Sequence, residues 1–393
     1  AYKDSGIEWI GQVPEHWKIA QIKRISALNP RKSTLSEEKD SLCTFLPMEK
    51  LRTNAVTLDE TRPIHEVYGG YSYFCDGDIL IAKVTPCFEN GNIAIANGLV
   101  NGIGFGSTEI NVLRVNGKGH NRFLYYRLQE EQFRTIAKSE MRGTGGLKRV
   151  PTDLFESFTI GLPDTDEQAT IAATLDRETA RIDALIEKKN RFVELLKEKR
   201  QGLITHAVTK GLDRNAKMKD SGIEWIGQVP EHWEATKLKH VAAFSGGGTP
   251  SKENPDYWNG CIPWVSPKDM KHEVITDSID HITTKGLENS ATKLIDSGAV
   301  LLVARSGILR HTIPVGINNV PVSLNQDMKA LSLDETRVRP RFILRWVQGL
   351  NRSLLGIWAK EGATVESLEH EYVANTRLPL PDLKEQDAIL ATL

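Results

Sequence analysis

The chain has 393 residues, with 50 Lys and Arg against 51 Asp and Glu and a formal net charge of −1. That length supplies two or three domains with ordinary cores. The near balance of charge excludes a generic polycation, so any nucleic-acid surface must be gathered on one face or completed by a partner. No apolar run approaches the roughly 20 residues of a membrane helix, and the first residues lack the apolar centre of a signal peptide. Cys43, Cys75, Cys87 and Cys261 show no C-x-x-C spacing, which argues against a zinc ribbon or a secreted disulfide framework. Buried free thiols and a cytoplasmic address are the expectation.

The stretch Lys-Asp-Ser-Gly-Ile-Glu-Trp-Ile-Gly-Gln-Val-Pro-Glu-His-Trp occupies residues 3–17 and recurs unchanged at 219–233. Its long spacing excludes a solenoid of short repeats and divides the chain into two large modules, each introduced by the same text. Gly11 and Pro14 interrupt any regular helix here. The segment is expected to be a strap whose tryptophans, Trp9, Trp17, Trp225 and Trp233, contact a helical scaffold, with Trp9 and Trp225 buried there; the alternative is that it completes each module's own core.

Residues 1–163 have the text of a first mixed domain. Short strands are expected at 78–84, 92–96 and 110–115, and a helix at 121–138, where Phe123, Leu124, Leu128, Phe133 and Ile136 fall near helical spacing. A small-residue loop, 142–149, follows. From 164 to 212 the character changes: acidic residues open a helix, and no proline interrupts it. Leu175, Ile182, Leu185, Phe192, Leu196 and Leu203 step by seven, three, seven, four and seven, the seam of a coiled coil with charged residues around it. A helix of about 45 residues is roughly 65 Å long at 1.5 Å per residue, a spacer rather than part of a domain core.

The second module, 213–381, repeats this order in different words, with strands expected at 299–304 and 313–317 and a helix at 341–358. The loop 361–365 stands where 143–147 stood. Aligning 162–175 with 380–393 gives nine identities in fourteen, including Leu-Pro-Asp, Glu-Gln and Ala-Thr-Leu. Residues 382–393 therefore open a second spacer helix, which is expected to continue past the point where the sequence stops. Fixed edges around divergent interiors describe one scaffold carrying two readers. The fold class expected is α+β: two mixed α/β domains separated by a long coiled-coil helix, with an internal pseudo-twofold repeat.

Several fragments are near-misses for catalysis. Asn254-Pro255-Asp256-Tyr257 approximates the motif of DNA amino-methyltransferases, but the Phe-Ser-Gly-Gly-Gly stretch at 244–248 begins only ten residues upstream, too close for the strands and helix such an enzyme needs. It reads as a turn before a packed aromatic. Gly102-Ile103-Gly104-Phe105-Gly106 lacks the strand-turn-helix frame of a dinucleotide site and also reads as a turn. The acidic residues at 164–167 are better explained as helix caps than as nuclease carboxylates. No catalytic residue and no metal site is assigned.

With the duplicated edges in view, the text resembles the DNA-specificity (S) subunits of type I restriction-modification systems. The resemblance covers nearly the whole chain. It is carried by Phe-Leu-Pro-Met-Glu at 45–49, Gly-Asp-Ile-Leu-Ile-Ala-Lys-Val-Thr-Pro-Cys at 77–87, Gly-Thr-Pro-Ser at 248–251, Ala-Arg-Ser-Gly at 304–307 and Leu-Asn-Gln-Asp at 324–327. Most specific is Leu-Pro followed by Glu-Gln and a helix, twice. The resemblance implies two target-recognition domains that each read half of a bipartite double-stranded DNA target, and helices that fix the distance between halves. It further implies two methyltransferase (M) subunits on the helical region, with S-adenosylmethionine bound there rather than on this chain, and restriction (R) subunits that join for cleavage. The alternative from another class is a protein-binding scaffold that dimerises through its helix.

Base readers are expected among Arg, Lys, Asn, Gln and His on loops. The candidates are Lys83, Asn90, Asn92, Arg142, Lys148 and Arg149 in the first module, and Lys268, Lys271, Arg305, Arg310, His311 and Lys360 in the second. Lys83 and Arg305 are taken to stand at corresponding strand ends.

Overall fold

The computed structural model describes residues 1–393 apart from 36, 37, 39, 145 and 361–364 and the side chain of residue 34. The expected loop at 361–365 therefore falls, except for Val365, outside the described residues. Contacts divide the chain into two compact units, Ala1–Glu187 and Lys188–Leu393, with the boundary inside one helix.

In the first unit the repeated segment is a hairpin. Strand Tyr2–Asp4 pairs antiparallel with Gln12–Pro14, and Gly6 and Gly11 turn between them at positive φ. The next strand, Lys18–Gln21, pairs antiparallel with Thr159–Leu162, so the beginning and end of the domain are stitched together beside the helix start. Between them lie two four-stranded sheets. One has the order Ile93–Ile95, Ile79–Ala82, Ile110–Val115, Ser26–Leu28, antiparallel throughout. The other has the order Thr61–Pro63, Leu42–Leu46, Ile103–Gly106, Ser72–Cys75, with its two central strands parallel.

Residues 103–106 are thus a buried strand, not the turn expected. Their glycines serve packing: a Cβ on Gly104 would lie 2.1 Å from Phe74 Cε2. The helix expected at 121–138 is two helices, Asn121–Arg127 and Glu131–Ser139, because Glu130 adopts an extended backbone before the second. Their inner faces bury Phe123, Leu124, Phe133 and Ala137 with Ile22, Ile79, Leu113, Phe155 and Ile160.

The second unit repeats the plan. Hairpin Met218–Asp220 with Gln228–Pro230 precedes strand Glu234–Lys237, which pairs antiparallel with Arg377–Leu380. A five-stranded sheet runs in the order Ala242–Gly246, Met328–Leu333, Val300–Val303, Val315–Asn318, Val274–Ile275. A three-stranded sheet runs in the order Asp280–Ile282, Trp258–Val265, Ser323–Leu324. The single helix expected at 341–358 breaks after Gly349 into Pro340–Gly349 and Asn351–Trp358. Trp233, Trp346, Trp358 and Phe342 are fully buried in this core; on area grounds Phe342 stabilises by roughly 1.5–3 kcal/mol, and each tryptophan, with more apolar surface, by more.

The long helix runs unbroken from Thr165 to Lys210, 46 residues. Its first turn is capped by Asp164, and Gly211, at φ +74°, ends it in the left-handed conformation a C-terminal stop favours. Ala172 belongs to the first core and Ile204, Ala207 and Val208 to the second, while every residue from 179 to 203 is exposed. All six seam positions are exposed, from Leu175 to Leu203, with Phe192 the most open at 61%. The seam is therefore not a core within this chain: among the described residues nothing covers it. The thiols also differ from expectation. Cys43 is buried, which pushes its pKa up to about 11, but Cys75 and Cys87 are half-buried and Cys261 is exposed.

Candidate nucleic-acid interface

Each mixed domain meets its following helix through the same four residues. Asp164 Oδ1 accepts the backbone N–H of Glu167 at 2.9 Å, and Asp382 Oδ1 that of Glu385 at 2.9 Å. Each bond satisfies a helix donor and puts negative charge at the positive end of the helix dipole. The two glutamates turn back to the repeated segment: His16 Nε2 lies 2.9 Å from Glu167 Oε2, and His232 Nε2 lies 2.7 Å from Glu385 Oε2.

The adjacent glutamines are fully buried and tie a third strand of chain into the junction. Gln168 Nε2 donates to the carbonyls of Lys118 at 3.1 Å and Pro163 at 3.0 Å, and its Oε1 accepts the N–H of His120 at 2.9 Å. Gln386 does the same with Arg337 at 3.0 Å, Pro381 at 2.8 Å and Arg339 N–H at 2.8 Å. The duplicated Pro-Asp, Glu-Gln and His-Trp text thus has one structural job, performed twice.

The tryptophans are less alike. Trp233 is buried and its Nε1 donates to Glu385 Oε2 at 3.0 Å, whereas Trp17 is half-buried against Gly161 with its Nε1 unpartnered among the described residues. Trp225 is half-buried, 6.4 Å from Trp346. Trp9 corrects the expectation of burial: it is 44% exposed and only stacks on Phe158 at 5.9 Å. The cause lies in the surroundings, because in the second unit the last turns of the long helix, at Ile204, Ala207 and Val208, join the core on which Trp225 packs.

The divergent interiors present matched strand ends. In the first, the strand Ile79–Ala82 ends at Lys83, whose N–H donates to Glu109 O at 3.0 Å and whose carbonyl accepts from Val150 at 2.8 Å. In the second, Ala304 makes the same two bonds, to Asp327 O at 2.7 Å and from Leu368 at 2.8 Å. Lys83 therefore corresponds to Ala304, and Arg305 to Val84, one residue off the correspondence expected; the bridges Val84 to Arg149 and Arg305 to Ser367 confirm the register.

Glu109 and Asp327 are then equivalent, and each holds an arginine. Arg149 forks onto Glu109 through Nε at 2.8 Å and Nη2 at 2.7 Å, and these bonds hold the Glu109 carboxyl below its ordinary range. Arg305 Nε reaches Asp327 Oδ1 at 2.6 Å. The same kind of pair is built from opposite sides, from the outgoing loop in one unit and from the strand end in the other. A fork of this kind fixes the guanidinium plane and leaves several of its five N–H donors free.

Lys83, Arg142, Lys148 and Arg149 are brought together: Arg142 and Arg149 bridge, and Thr85 N–H donates to Lys148 O at 2.9 Å. Arg305, Arg310 and Lys360 converge on the segment 366–367, with Arg310 Nε 2.6 Å from Glu366 Oε1 and Lys360 N–H 2.8 Å from Ser367 O. Asn90 is exposed in a separate turn, and Lys268 lies in the turn Pro267–Asp269, apart from both clusters. Lys271 and His311 are exposed along a groove described below. Asn92 differs from the expectation of an exposed loop donor: it is only 6% exposed and held at the base of a hairpin by backbone bonds to Cys87 and Ala82. Sequence reasoning missed the orienting carboxylates Glu109, Asp327 and Glu366, which sit far from their arginines in the chain.

Asn254–Tyr257 is the turn expected: Asn254 Oδ1 accepts from Asp256 N–H at 3.1 Å, and Asp256 pairs with Lys285 at 2.8 Å.

Comparison with known proteins places the two repeated units in a family. The family model described as "Type I restriction modification DNA specificity domain" matches residues 14–195 and again 230–393. The chain belongs to that family. The specificity subunit of the EcoR124I/EcoR124II type I restriction enzyme of Escherichia coli is 32% identical over 182 residues, covering 46% of this chain and 42% of that protein. Similar matches cover 28% and 27% of two further E. coli specificity subunits, so the chain spans less than half the length of the first curated relatives it matches. Among solved structures, the HsdS subunit of Thermoanaerobacter tengcongensis is 18% identical, with 97% of this chain and 88% of that one covered and a TM-score of 0.65. At that identity the likeness is one of fold: a specificity-subunit architecture of two mixed domains and a long helix.

Proposed function

We propose that this chain is a non-catalytic DNA sequence-recognition subunit, reading a bipartite duplex target through its two recognition domains and recruiting methyltransferase and restriction subunits. The observation that carries the reading is the repeated junction. The same Asp, Glu, Gln and His close each divergent domain onto a helix, and the first helix then runs 46 residues without a break. A fixed frame around variable loops is what two readers of different half-sites require.

In this reading Arg149 and Arg305, oriented by Glu109 and Asp327, read base edges, where a bidentate arginine is worth about 1–3 kcal/mol of discrimination. Lys83, Arg142, Lys148, Lys268 and Lys360 contact phosphates. The exposed seam from Leu175 to Leu203 takes a partner helix or the methyltransferase, and S-adenosylmethionine belongs to that partner. No described helix is long and apolar enough to cross a membrane, and the cytoplasm is the compartment in which such a subunit meets DNA.

Selection from a random-sequence duplex library, with the chain alone and with methyltransferase present, tests the proposal. Recovery of two short specified blocks around an unread spacer supports it, and absence of enrichment at low salt with the partner present refutes it.

A further inference from the structure

The second unit contains an open groove of about 1060 Å³ between the last turns of the long helix and the recognition domain. Its walls carry Arg200, Lys271, His272, Arg310, His311 and Arg352, all exposed, and Glu273 is the one carboxylate among the described residues that line it. Glu273 is already engaged, 2.8 Å from Arg345, 3.0 Å from Gln348 and 3.4 Å from Arg200. Lys271 and Arg352 have no acidic partner among the described residues.

This bias is local. The neighbouring groove of about 870 Å³ sets Glu273, Glu335 and Asp387 against Arg339, Arg341 and Arg345, and the whole chain is near neutral. The floor of the cationic groove is apolar, formed by Trp225, Ile313 and Leu350 among others. Low-dielectric walls beneath a rim of one sign focus the field along the groove.

Its position links it to the reading face. Arg310 and His311 lie on and just beyond the helical turn Gly307–Arg310, which follows Arg305 directly, and Glu366 holds Arg310 beside the bridge that joins Arg305 to Ser367. A polyanion seated in the groove would meet Arg310 and His311, and Glu366, which holds Arg310, precedes the residue that bridges to Arg305.

We infer that this groove is a seat for the DNA sugar-phosphate backbone beside the second half-site, with Lys271 and Arg352 as phosphate contacts that position the duplex without reading it. The inference rests on the DNA-reading function proposed above. Two features favour DNA over an acidic protein segment: continuity with the candidate base-reading face, and a mixture of point charge and guanidinium fork suited to phosphodiesters.

The test uses the full chain and two duplexes, the target recovered by library selection and a scrambled one, with affinity measured from 50 to 200 mM salt. In the double variant Lys271→Gln, Arg352→Gln both duplexes should weaken alike. The slope of log affinity against log salt should flatten by about 1.8, at roughly 0.9 per phosphate lost, so that affinity falls about tenfold less across that salt range than for the unaltered chain. The charge-keeping variant Lys271→Arg, Arg352→Lys should retain the original slope.

An unchanged slope in the double glutamine variant overturns the inference. So does a change in discrimination between the duplexes with the slope intact, which would make these residues base readers. Loss of methyltransferase capture with DNA binding intact would make the groove a protein-docking site and overturn it equally. If the unaltered chain prefers neither duplex, with or without methyltransferase, the function proposed above fails first, and the two failures are distinguishable.

Discussion

Replacing Gln386 isolates the junction that closes the second domain onto its helix. The side chain is fully buried and makes three hydrogen bonds, donating to Arg337 O and Pro381 O and accepting from Arg339 N–H. At about 1 kcal/mol net per bond, Gln386→Ala should cost the second unit ~3 kcal/mol, and more if the freed N–H finds no water. For a unit of this size that lowers its thermal midpoint by roughly 6–12 °C. Gln386→Glu is the sharper probe. An ionised carboxylate accepts at both oxygens and would face two carbonyls, so at neutral pH it should be at least as destabilising as alanine. Part of the loss should return on acidification, as the protonated acid regains a donor. Calorimetry that follows the two units as separate transitions reads both effects, with Gln168→Ala acting on the first unit alone. Wild-type stability in Gln386→Glu at neutral pH would refute the hydrogen-bond account of the junction.

Other substitutions test other parts of the structure. Arg149→Lys keeps the charge but loses the fork on Glu109, so it should relax one base position in the first block by about 1–3 kcal/mol and leave the second block unchanged, read by repeating the library selection. Gly104→Ala would drive a Cβ to 2.1 Å from Phe74; overpacking of this kind should cost about 1–3 kcal/mol in a denaturation curve. Phe192→Ser, at an exposed position, should leave the stability of the chain within about 0.5 kcal/mol while weakening capture of methyltransferase. Arg122 and Tyr126 hold Asp176, with Tyr126 Oη at 2.6 Å, and hydrogen bonding to Arg122 lowers the carboxyl's pKa. The contribution of Asp176 is therefore complete above about pH 4, the ordinary aspartate value, and is lost as pH falls through the lowered one. Asp176→Asn should be less stable near neutrality and show a flatter acid limb in a stability-against-pH series.

The repeated edges were legible because their job is local and identical in both copies: a cap, a turn and a buried amide need the same letters wherever they recur. The unbroken helix was legible for a related reason, since acidic residues, absent prolines and a terminal glycine act within one segment. What depended on distant surroundings was not. Trp9 and Trp225 sit in identical text yet differ in burial, because the core beside Trp225 takes in the last turns of the helix that precedes it, at Ile204, Ala207 and Val208, whereas the core beside Trp9 takes in only the start of the helix that follows, at Ala172. Asn92 read as a loop donor but lies at the base of a hairpin whose backbone bonds consume the space around it. The glycines at 102–106 read as a turn because nothing local announces that Phe74 needs their missing side chains. The one-residue offset between Lys83 and Arg305 is invisible without ladder register, and so is the equivalence of Glu109 and Asp327, from which the two arginines are oriented in opposite ways.

In the proposed function the unbroken helix sets the distance between two reading events. Inserting seven residues, two helical turns, into the exposed stretch between 186 and 192 lengthens the helix by roughly 10 Å at 1.5 Å per residue. That corresponds to about three base pairs of duplex at 3.4 Å per step. Library selection with the lengthened chain should recover the same two specified blocks with a spacer longer by about three base pairs. Recovery of the original spacer, or of one contiguous block, would contradict the account.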